Sequence, residues 1–205
     1  MEIKYFGYNC FRIRSKQGTV ITDPFLEAGG KKAVKAVADV VLLTRGQKSE
    51  ELGHISAAAG RTEPYLIREA GEYEVSGMFI EGVVNGKVKC FAVETEGLHL
   101  VYMPEWRVQL GSETAEVLTE VDVLMLSLDS ACGTVSEAVH LVNQIEPRVV
   151  VPMSYWNESG LEEKKLADFF KEMGQPLVET TDKLVLTSGQ LPQERQAVVL
   201  SAKGE

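Results

Sequence analysis

The sequence predicts an α/β domain in which two β-sheets pack face to face and helices cover their outer sides. In the first 103 residues, short apolar runs are separated by turn residues, which is typical of antiparallel strands. From residue 112 onward, strands alternate with segments whose apolar residues recur at helical spacing. Early hairpins followed by β-α-β units favour two packed sheets with outer helices. A chain of 205 residues, 44% hydrophobic and 25% charged, suits one soluble domain, and we expect residues 1–205 to form it.

The N-terminal half contains the predicted hairpins. We expect strands at residues 3–6, 10–13, 19–21, 37–44, 78–84, 88–93 and 98–102. The run 37–44 is nearly continuous and rich in valine and leucine, as expected of a strand that is buried on both faces. Asn85-Gly86 separates two of the runs and is the strongest short signal for a tight hairpin turn.

The C-terminal half contains the predicted helices. Ser112 can cap a short helix that runs to about residue 119. Thr134 and Glu137 form a capping box for a second helix, which Pro147 stops. A further capping box at residues 159–162 begins a helix that ends at Gly174. The strands of this half are expected at residues 121–127, 148–151, 184–187 and 197–200.

The charge balance argues against a nucleic-acid partner. A net charge of −9 leaves little that could neutralise a phosphate backbone. The nearest approach to a basic patch is Lys31, Lys32 and Lys35, which we interpret as a solvated face.

The N-terminus and the cysteines are typical of a cytoplasmic protein. The first residues lack the apolar segment and cleavage site of a signal peptide, and no apolar stretch reaches the roughly 18–20 residues that span a bilayer. Cys10, Cys90 and Cys132 form no C-x-x-C pair and are interpreted as core residues. We therefore expect no disulfide framework, no thiolate zinc site and no membrane contact.

Six segments in the same order carry a family resemblance. They are FGYNCFRI (6–13), ITDPFL (21–26), DVVLLT (39–44), GEYEVSG (71–77), DVL (122–124) and IEP through PMSY (145–155). Together they resemble the small, single-domain, lactonase-like hydrolases of the metallo-β-lactamase superfamily. The resemblance covers nearly the whole chain and implies a four-layer αββα sandwich with the active site at one edge of the two sheets.

The resemblance also implies a metal site. Members of the superfamily hold one or two zinc ions with a T-H-x-H-x-D-H loop, a later histidine, an aspartate in a G-D pair and a histidine in P-x-H-Y. Imidazoles and carboxylates hold Zn²⁺ while leaving a position for water. The metal lowers the pKa of that water to about 7 and so supplies hydroxide for hydrolysis.

In this chain the ligand positions are occupied by other residue types. The histidine positions that begin and end the resemblance hold Tyr8 and Ser154, and Glu105 follows Pro104 where the G-D pair is expected. The four ligand positions of the loop after Thr44 are Arg45, Gln47, Ser49 and Glu50. The three histidines, His54, His99 and His140, lie elsewhere and are interpreted as structural or surface residues.

These replacements remove the metal ligands and also add positive charge that disfavours the binding of a metal cation. Arg45 puts a permanent cation where the family places a dication, and Lys48 adds another. The remaining hard donors are Asp23, Glu50 and Glu105, which at best suit Mg²⁺, Mn²⁺ or Ca²⁺. We therefore predict that the zinc site is lost and that no cofactor is bound.

Two classes of function follow. The first is a non-catalytic binding or interaction module that takes a small anionic ligand, or a protein partner, in a cleft formed by the eight positions Tyr8, Asp23, Arg45, Gln47, Ser49, Glu50, Glu105 and Ser154. The alternative is a hydrolase with an oxygen-ligand metal site or metal-independent chemistry. A serine nucleophile would need a base, and no histidine is placed to serve. Within the cleft, we expect Arg45 to pair with Glu50 or Glu105, because an unpaired buried charge is costly.

Overall fold

The strands of this computed structural model form two large sheets and three short pairs. The structure describes residues 1–25, 27–28, 31–32, 35–46, 49–85, 88–106, 112–157, 160–161 and 163–202. The strands are β1 (Glu2–Gly7), β2 (Cys10–Arg14), β3 (Thr19–Thr22), β4 (Glu27–Ala28), β5 (Lys31–Lys32), β6 (Ala36–Ala38), β7 (Val40–Leu42), β8 (Ile55–Ala57), β9 (Tyr65–Ile67), β10 (Gly71–Val75), β11 (Met78–Asn85), β12 (Val88–Thr95), β13 (Leu98–Met103), β14 (Val123–Ser127), β15 (Val149–Met153), β16 (Trp156–Asn157), β17 (Gly160–Leu161), β18 (Leu184–Val185) and β19 (Gln196–Ala197).

The helices are fewer and short. They are α1 (Ser112–Val117), α2 (Val135–Ile145) and α3 (Glu163–Glu172), with one-turn 3₁₀ helices at Ser49–Leu52 and Ser188–Gln190. No helix in the described part of the chain is long and apolar enough to cross a membrane.

The two large sheets have six and seven strands. The first has the order β18-β1-β2-β3-β7-β9, and the second β10-β11-β12-β13-β14-β15-β19. In the first sheet, β3, β7 and β9 run parallel, and in the second β13, β14, β15 and β19 do so. The carboxyl ends of the parallel strands therefore lie along one edge of each sheet, where loops can place side chains side by side.

The main core lies between the sheets. Residues of the first sheet, such as Phe11 and Val20, belong to one buried cluster with Phe91 and Leu100 of the second. A smaller cluster lies behind the first sheet and includes Phe6, Ile21 and Val41 with Leu52 and Ile55. The predicted two-sheet αββα sandwich is confirmed.

Two local predictions are confirmed by backbone geometry. The hairpin of β11 and β12 closes at the Asn85–Val88 pair, around the predicted turn. Helix α2 has the predicted capping box, in which Thr134 and Glu137 bond each other's backbone amides, and it ends at Glu146 before Pro147. The second predicted capping box includes residues 159 and 162, which lie outside the described residues.

Three predicted strands are wrong in extent. The run 37–44 is split at Asp39, because its carboxylate accepts a bond from Thr19 N at 2.8 Å and turns the chain from β6 to β7. β6 pairs with β8, whereas β7 lies between β3 and β9. The two final strands, β18 and β19, are each only two residues long. A 3₁₀ helix at Ser188–Gln190 follows β18 closely.

Candidate functional site

The predicted site residues that the structure describes lie along the carboxyl edge of the two sheets. Asp23 follows β3, Arg45 lies three residues after β7, Glu105 follows β13 and Ser154 follows β15. Tyr8 lies in the turn between β1 and β2. Gln47 is outside the described residues, and of Ser49 and Glu50 only the backbone is described, as the start of a 3₁₀ helix.

Asp23 is a buried carboxylate whose two oxygens are both used. Its Oδ1 accepts from Thr44 N at 2.8 Å, and its Oδ2 accepts from the Thr44 hydroxyl and from Tyr102 Oη, the latter at 2.6 Å. Burial raises the pKa of Tyr102, and the nearby Asp23 charge raises it further, so this phenol stays a donor. Asp23 thus ties the loop after β7 to β13 and is not free to act as the hard metal donor that the sequence suggested.

Tyr8 and Ser154, from different sheets, are bonded to each other. Ser154 N donates to the Tyr8 carbonyl at 3.2 Å, and the Ser154 hydroxyl lies at 3.2 Å from the same oxygen. The Ser154 hydroxyl also contacts Oδ1 of Asn9, which is 4% exposed. The Tyr8 ring packs edge-on against Phe25 with centroids 5.6 Å apart. These contacts hold the β1–β2 turn against the end of β15.

Arg45 forms the predicted ion pair with Glu105. The Arg45 Nε to Glu105 Oε1 distance is 3.9 Å, and the two side chains are 56% and 41% exposed. The prediction that Arg45 pairs with one of the two glutamates is confirmed for Glu105. Because the pair is long and solvated, the guanidinium keeps most of its hydrogen-bonding capacity.

Glu105 is positioned by a buried neighbour that the sequence did not single out. Trp106 is 2% exposed and donates from Nε1 to the Ser127 carbonyl at 2.7 Å. Cys132 Sγ contacts the Pro104 carbonyl at 3.7 Å, and a side chain at Gly133 would come within 2.8 Å of the Trp106 ring. A tryptophan directly after Pro-Glu at a strand end was the available signal, since a buried indole needs an acceptor. The sequence prediction did not include Asn9 and Tyr102 among the site residues, because no motif or neighbouring residue marks either of them.

The histidines and cysteines do not contribute a catalytic pair. His54 precedes β8, and both of its ring nitrogens are buried. His99 is the second residue of β13, at the far end of the sheet, and His140 is exposed on α2. All three cysteines are buried and none of them is in a disulfide, and burial together with Asp23 raises the pKa of Cys10. A cysteine nucleophile is therefore disfavoured at Cys10.

Comparisons with known proteins agree on one family. The sequence model described as a beta-lactamase superfamily domain matches residues 2–154. The chain belongs to the metallo-β-lactamase superfamily. A comparison with curated protein sequences gave no match.

Several solved structures share this fold. A proposed zinc-dependent hydrolase of the superfamily from Thermotoga maritima is 26% identical, with a TM-score of 0.78 over 98% of each chain. A proposed metal-dependent hydrolase from Parabacteroides distasonis is 15% identical, with a TM-score of 0.60 over 84% of this chain and 89% of its own. A metallo hydrolase from Ignicoccus hospitalis is 12% identical, with a TM-score of 0.61 over 91% of this chain and 99% of its own.

The superfamily's metal does not fit the residues that the structure describes. Among them, no group of three histidine, cysteine, aspartate or glutamate side chains is arranged to hold a metal ion. The described side chains at the expected positions include the Arg45 guanidinium, a serine hydroxyl that contacts Asn9, the Asp23 carboxylate that accepts from Thr44 and Tyr102, and the Glu105 carboxylate that pairs with Arg45. Zinc sites instead need imidazole, thiolate or free carboxylate ligands.

A separate groove of about 1280 Å³ lies at the opposite end of the second sheet. It is lined by the start of β13 and by the residues that precede β14 and β15, so it faces away from the predicted site. Its carboxylates include Glu81, Glu94 and Glu116, and burial raises the pKa of Glu81, with Glu72 adding to the effect. None of the predicted site residues lines this groove.

Proposed function

We propose that this protein is a metal-independent, non-hydrolytic member of its superfamily that binds a small carboxylate or phosphate anion at Arg45. The observation that carries the proposal is the guanidinium of Arg45, which is 56% exposed and lies three residues beyond β7, where the resemblance predicts the first metal ligand. A permanent cation at this position favours an anion and repels a metal ion.

The Arg45–Glu105 contact supports this class of ligand. Carboxylates and phosphates match the guanidinium fork, which donates two parallel hydrogen bonds to them. Arg45 Nε and Glu105 Oε1 are 3.9 Å apart, which is too long for a hydrogen bond. The Glu105 carboxylate therefore acts as a weak internal competitor that an external anion can displace.

Hydrolysis is disfavoured by the same residues. The Ser154 hydroxyl contacts the Asn9 and Tyr8 oxygens, and no described histidine contacts it as a base. The Asp23 carboxylate accepts from Thr44 and Tyr102 and cannot act as a free base without breaking those bonds. Neither an activated nucleophile nor a metal-bound hydroxide is available among these side chains.

Anion titration with matched variants tests the binding site. Inorganic phosphate and acetate are titrated into the protein at low ionic strength, with binding followed by calorimetry and by amide chemical shifts. Arg45→Ala should abolish saturable binding, whereas Glu105→Gln should tighten it because the internal competitor loses its charge. Arg14→Ala, which removes an exposed arginine at the other end of β2, is the control and should leave binding unchanged. Equal binding by wild type and Arg45→Ala would exclude Arg45 as the site.

Metal content and turnover test the rest of the proposal. Protein purified without added metal is analysed for zinc, manganese and iron beside the Thermotoga maritima protein. It is then assayed with lactone, β-lactam, thioester and phosphodiester substrates. We expect far less than stoichiometric metal and no saturable turnover. Stoichiometric zinc, or turnover that Glu105→Gln abolishes in a folded protein, would refute the proposal.

A further inference from the structure

The two positions where the resemblance predicts its first and last histidines are bonded directly to each other. Ser154 N donates to the Tyr8 carbonyl at 3.2 Å, and the Ser154 hydroxyl lies between that carbonyl and Asn9 Oδ1. Tyr5 joins the same group, since its hydroxyl donates to the Tyr8 carbonyl at 2.8 Å and accepts from Ser154 N at 3.3 Å. Four residues thus share one hydrogen-bonded cluster.

This cluster crosses from one sheet to the other. Tyr5 belongs to β1, and Tyr8 and Asn9 form the turn to β2, all in the first sheet. Ser154 follows β15 in the second sheet. Tyr102 of β13 adds another crossing contact, because its hydroxyl, which donates to Asp23, lies 2.9 Å from the Asn9 carbonyl.

Burial and backbone geometry indicate that the cluster is held firmly. Tyr5 and Asn9 are 1% and 4% exposed, so an acceptor that lost its donor here would be poorly compensated by water. Tyr8 and Ser154 both have left-handed backbones, with φ of 53° and 54°. Residues other than glycine adopt this conformation at a cost and keep it only where surrounding contacts enforce it.

We infer that Tyr5, Tyr8, Asn9 and Ser154 form a metal-free clasp that joins the two sheets at the edge where the superfamily's metal site lies. The contacts that metal ligands would otherwise make are replaced by hydrogen bonds within the chain. The clasp rests on the metal independence of the proposed function but not on anion binding at Arg45. An experiment can therefore refute the clasp without refuting the anion site, and the reverse.

A double-mutant cycle in the presence of a chelator tests the clasp. Ser154→Ala removes the hydroxyl but keeps the backbone amide and the left-handed position, and Asn9→Ala removes its acceptor. Each single variant should lower Tm by roughly 3–8 °C, as expected for a buried hydrogen bond in a chain of this size. The double variant should lose clearly less than the sum, because both changes break the same contact. Ser136→Ala, at an exposed position on α2, is the control and should shift Tm by about 1 °C or less.

The outcomes separate the clasp from the proposed function. Additive Tm losses, or an unchanged Tm for Ser154→Ala, would refute the clasp whatever the metal content. Should Asn9→Ala fail to fold, Tyr5→Phe replaces it, because it removes the other hydroxyl on the Tyr8 carbonyl. Additivity of that pair would refute the clasp as well. Zinc that binds to the wild type would instead refute the metal independence.

Discussion

At the scale of single residues, exposure decides what the Arg45–Glu105 pair contributes. A buried Arg–Glu pair would cost several kcal/mol to break, because it strands a charge in a low dielectric. This pair is 56% and 41% exposed at 3.9 Å, so water screens it. The pair therefore contributes little to holding the loop after β7 against the second sheet, and the buried Asp23 carboxylate is the stronger link between them.

Arg45→Ala should lower the free energy of unfolding by about 0–1 kcal/mol, as for other solvated ion pairs. Urea unfolding at neutral pH measures this loss, and Glu105→Gln should give a loss of the same size. Arg14→Ala, another exposed arginine, provides the control. A loss of more than about 2 kcal/mol for Arg45→Ala would mean that the pair is desolvated and structural.

His54 should make stability sensitive to pH. Burial lowers its pKa below 6.5, and a contact with the Glu51 backbone offsets only part of that effect. A histidine with a lowered pKa stabilises the fold fully above the unfolded value of 6.5, and this contribution is lost as pH falls through the folded value. The free energy of unfolding should therefore fall between about pH 7 and pH 5.

His54→Gln should reduce this pH dependence, as measured by urea unfolding at pH 7 and pH 5. The same change at His140, which is exposed on α2, is the control and should leave the dependence as in the wild type. Equal pH dependence of wild type and His54→Gln would show that other groups are responsible. The carboxyl groups of Glu2 and Glu96, whose pKa values are lowered by Lys183 and the N-terminal amine, act only at lower pH.

At the scale of elements, close packing restricts the strands next to the core. Gly82 lies in β11 opposite Gly71 of β10 and Phe91 of β12. A side chain at Gly82 would come within 2.7 Å of the Glu69 carbonyl and 2.8 Å of the Phe91 ring. Both neighbours are fixed, one by the backbone and the other by burial at 1% exposure. Glycine is thus required here for space.

Gly82→Ala should destabilise the protein by about 1–3 kcal/mol, the usual range for overpacking. Thermal unfolding measures the loss. Gly189→Ala is the matched control, because a side chain there meets nothing within 4 Å. If both variants unfold at the wild-type temperature, the Glu69 segment must be able to move away from β11.

At the scale of the whole molecule, the inter-sheet core is the main source of stability. The main cluster includes fully buried residues of both large sheets, such as Ile3 and Ile13 in the first and Ile80 and Val93 in the second. A domain of this size buries enough apolar surface to fold without a metal. The polar contacts at the carboxyl edge then position loops on a scaffold that is already stable.

Metal removal should therefore leave thermal stability unchanged. A chelator should shift Tm by about 1 °C or less, and equimolar zinc should not raise it. A metal bound at 100 times its Kd would stabilise the fold by about 2.7 kcal/mol and raise Tm by several degrees. The Thermotoga maritima protein, treated in parallel, shows whether the assay detects metal stabilisation. A chelator-induced drop of several degrees in this protein would contradict the prediction.

The sequence by itself determined the fold and the identities of the residues at the positions where the resemblance places metal ligands. The turn signal after β11 and the Thr134–Glu137 capping box are local signals, and they correctly placed the β11–β12 hairpin and the start of α2. The order of the family segments then fixed the two-sheet sandwich. These features depend on neighbours within a few positions, so they can be read along the chain.

Only the tertiary structure decided how the site residues are used. Asp23 meets Tyr102 from 79 positions away, and Ser154 meets Tyr8 from 146 positions away. No local pattern encodes those partners, and none shows that Arg45 is paired with Glu105 in solvent and not in the core. The split of the run 37–44 at Asp39 has the same origin, because Thr19 supplies the hydrogen bond that turns the chain. The interaction energy of two polar side chains that meet across the sheets depends on how deeply they are buried and on which partners they have. Burial and partners are both decided only when the chain folds.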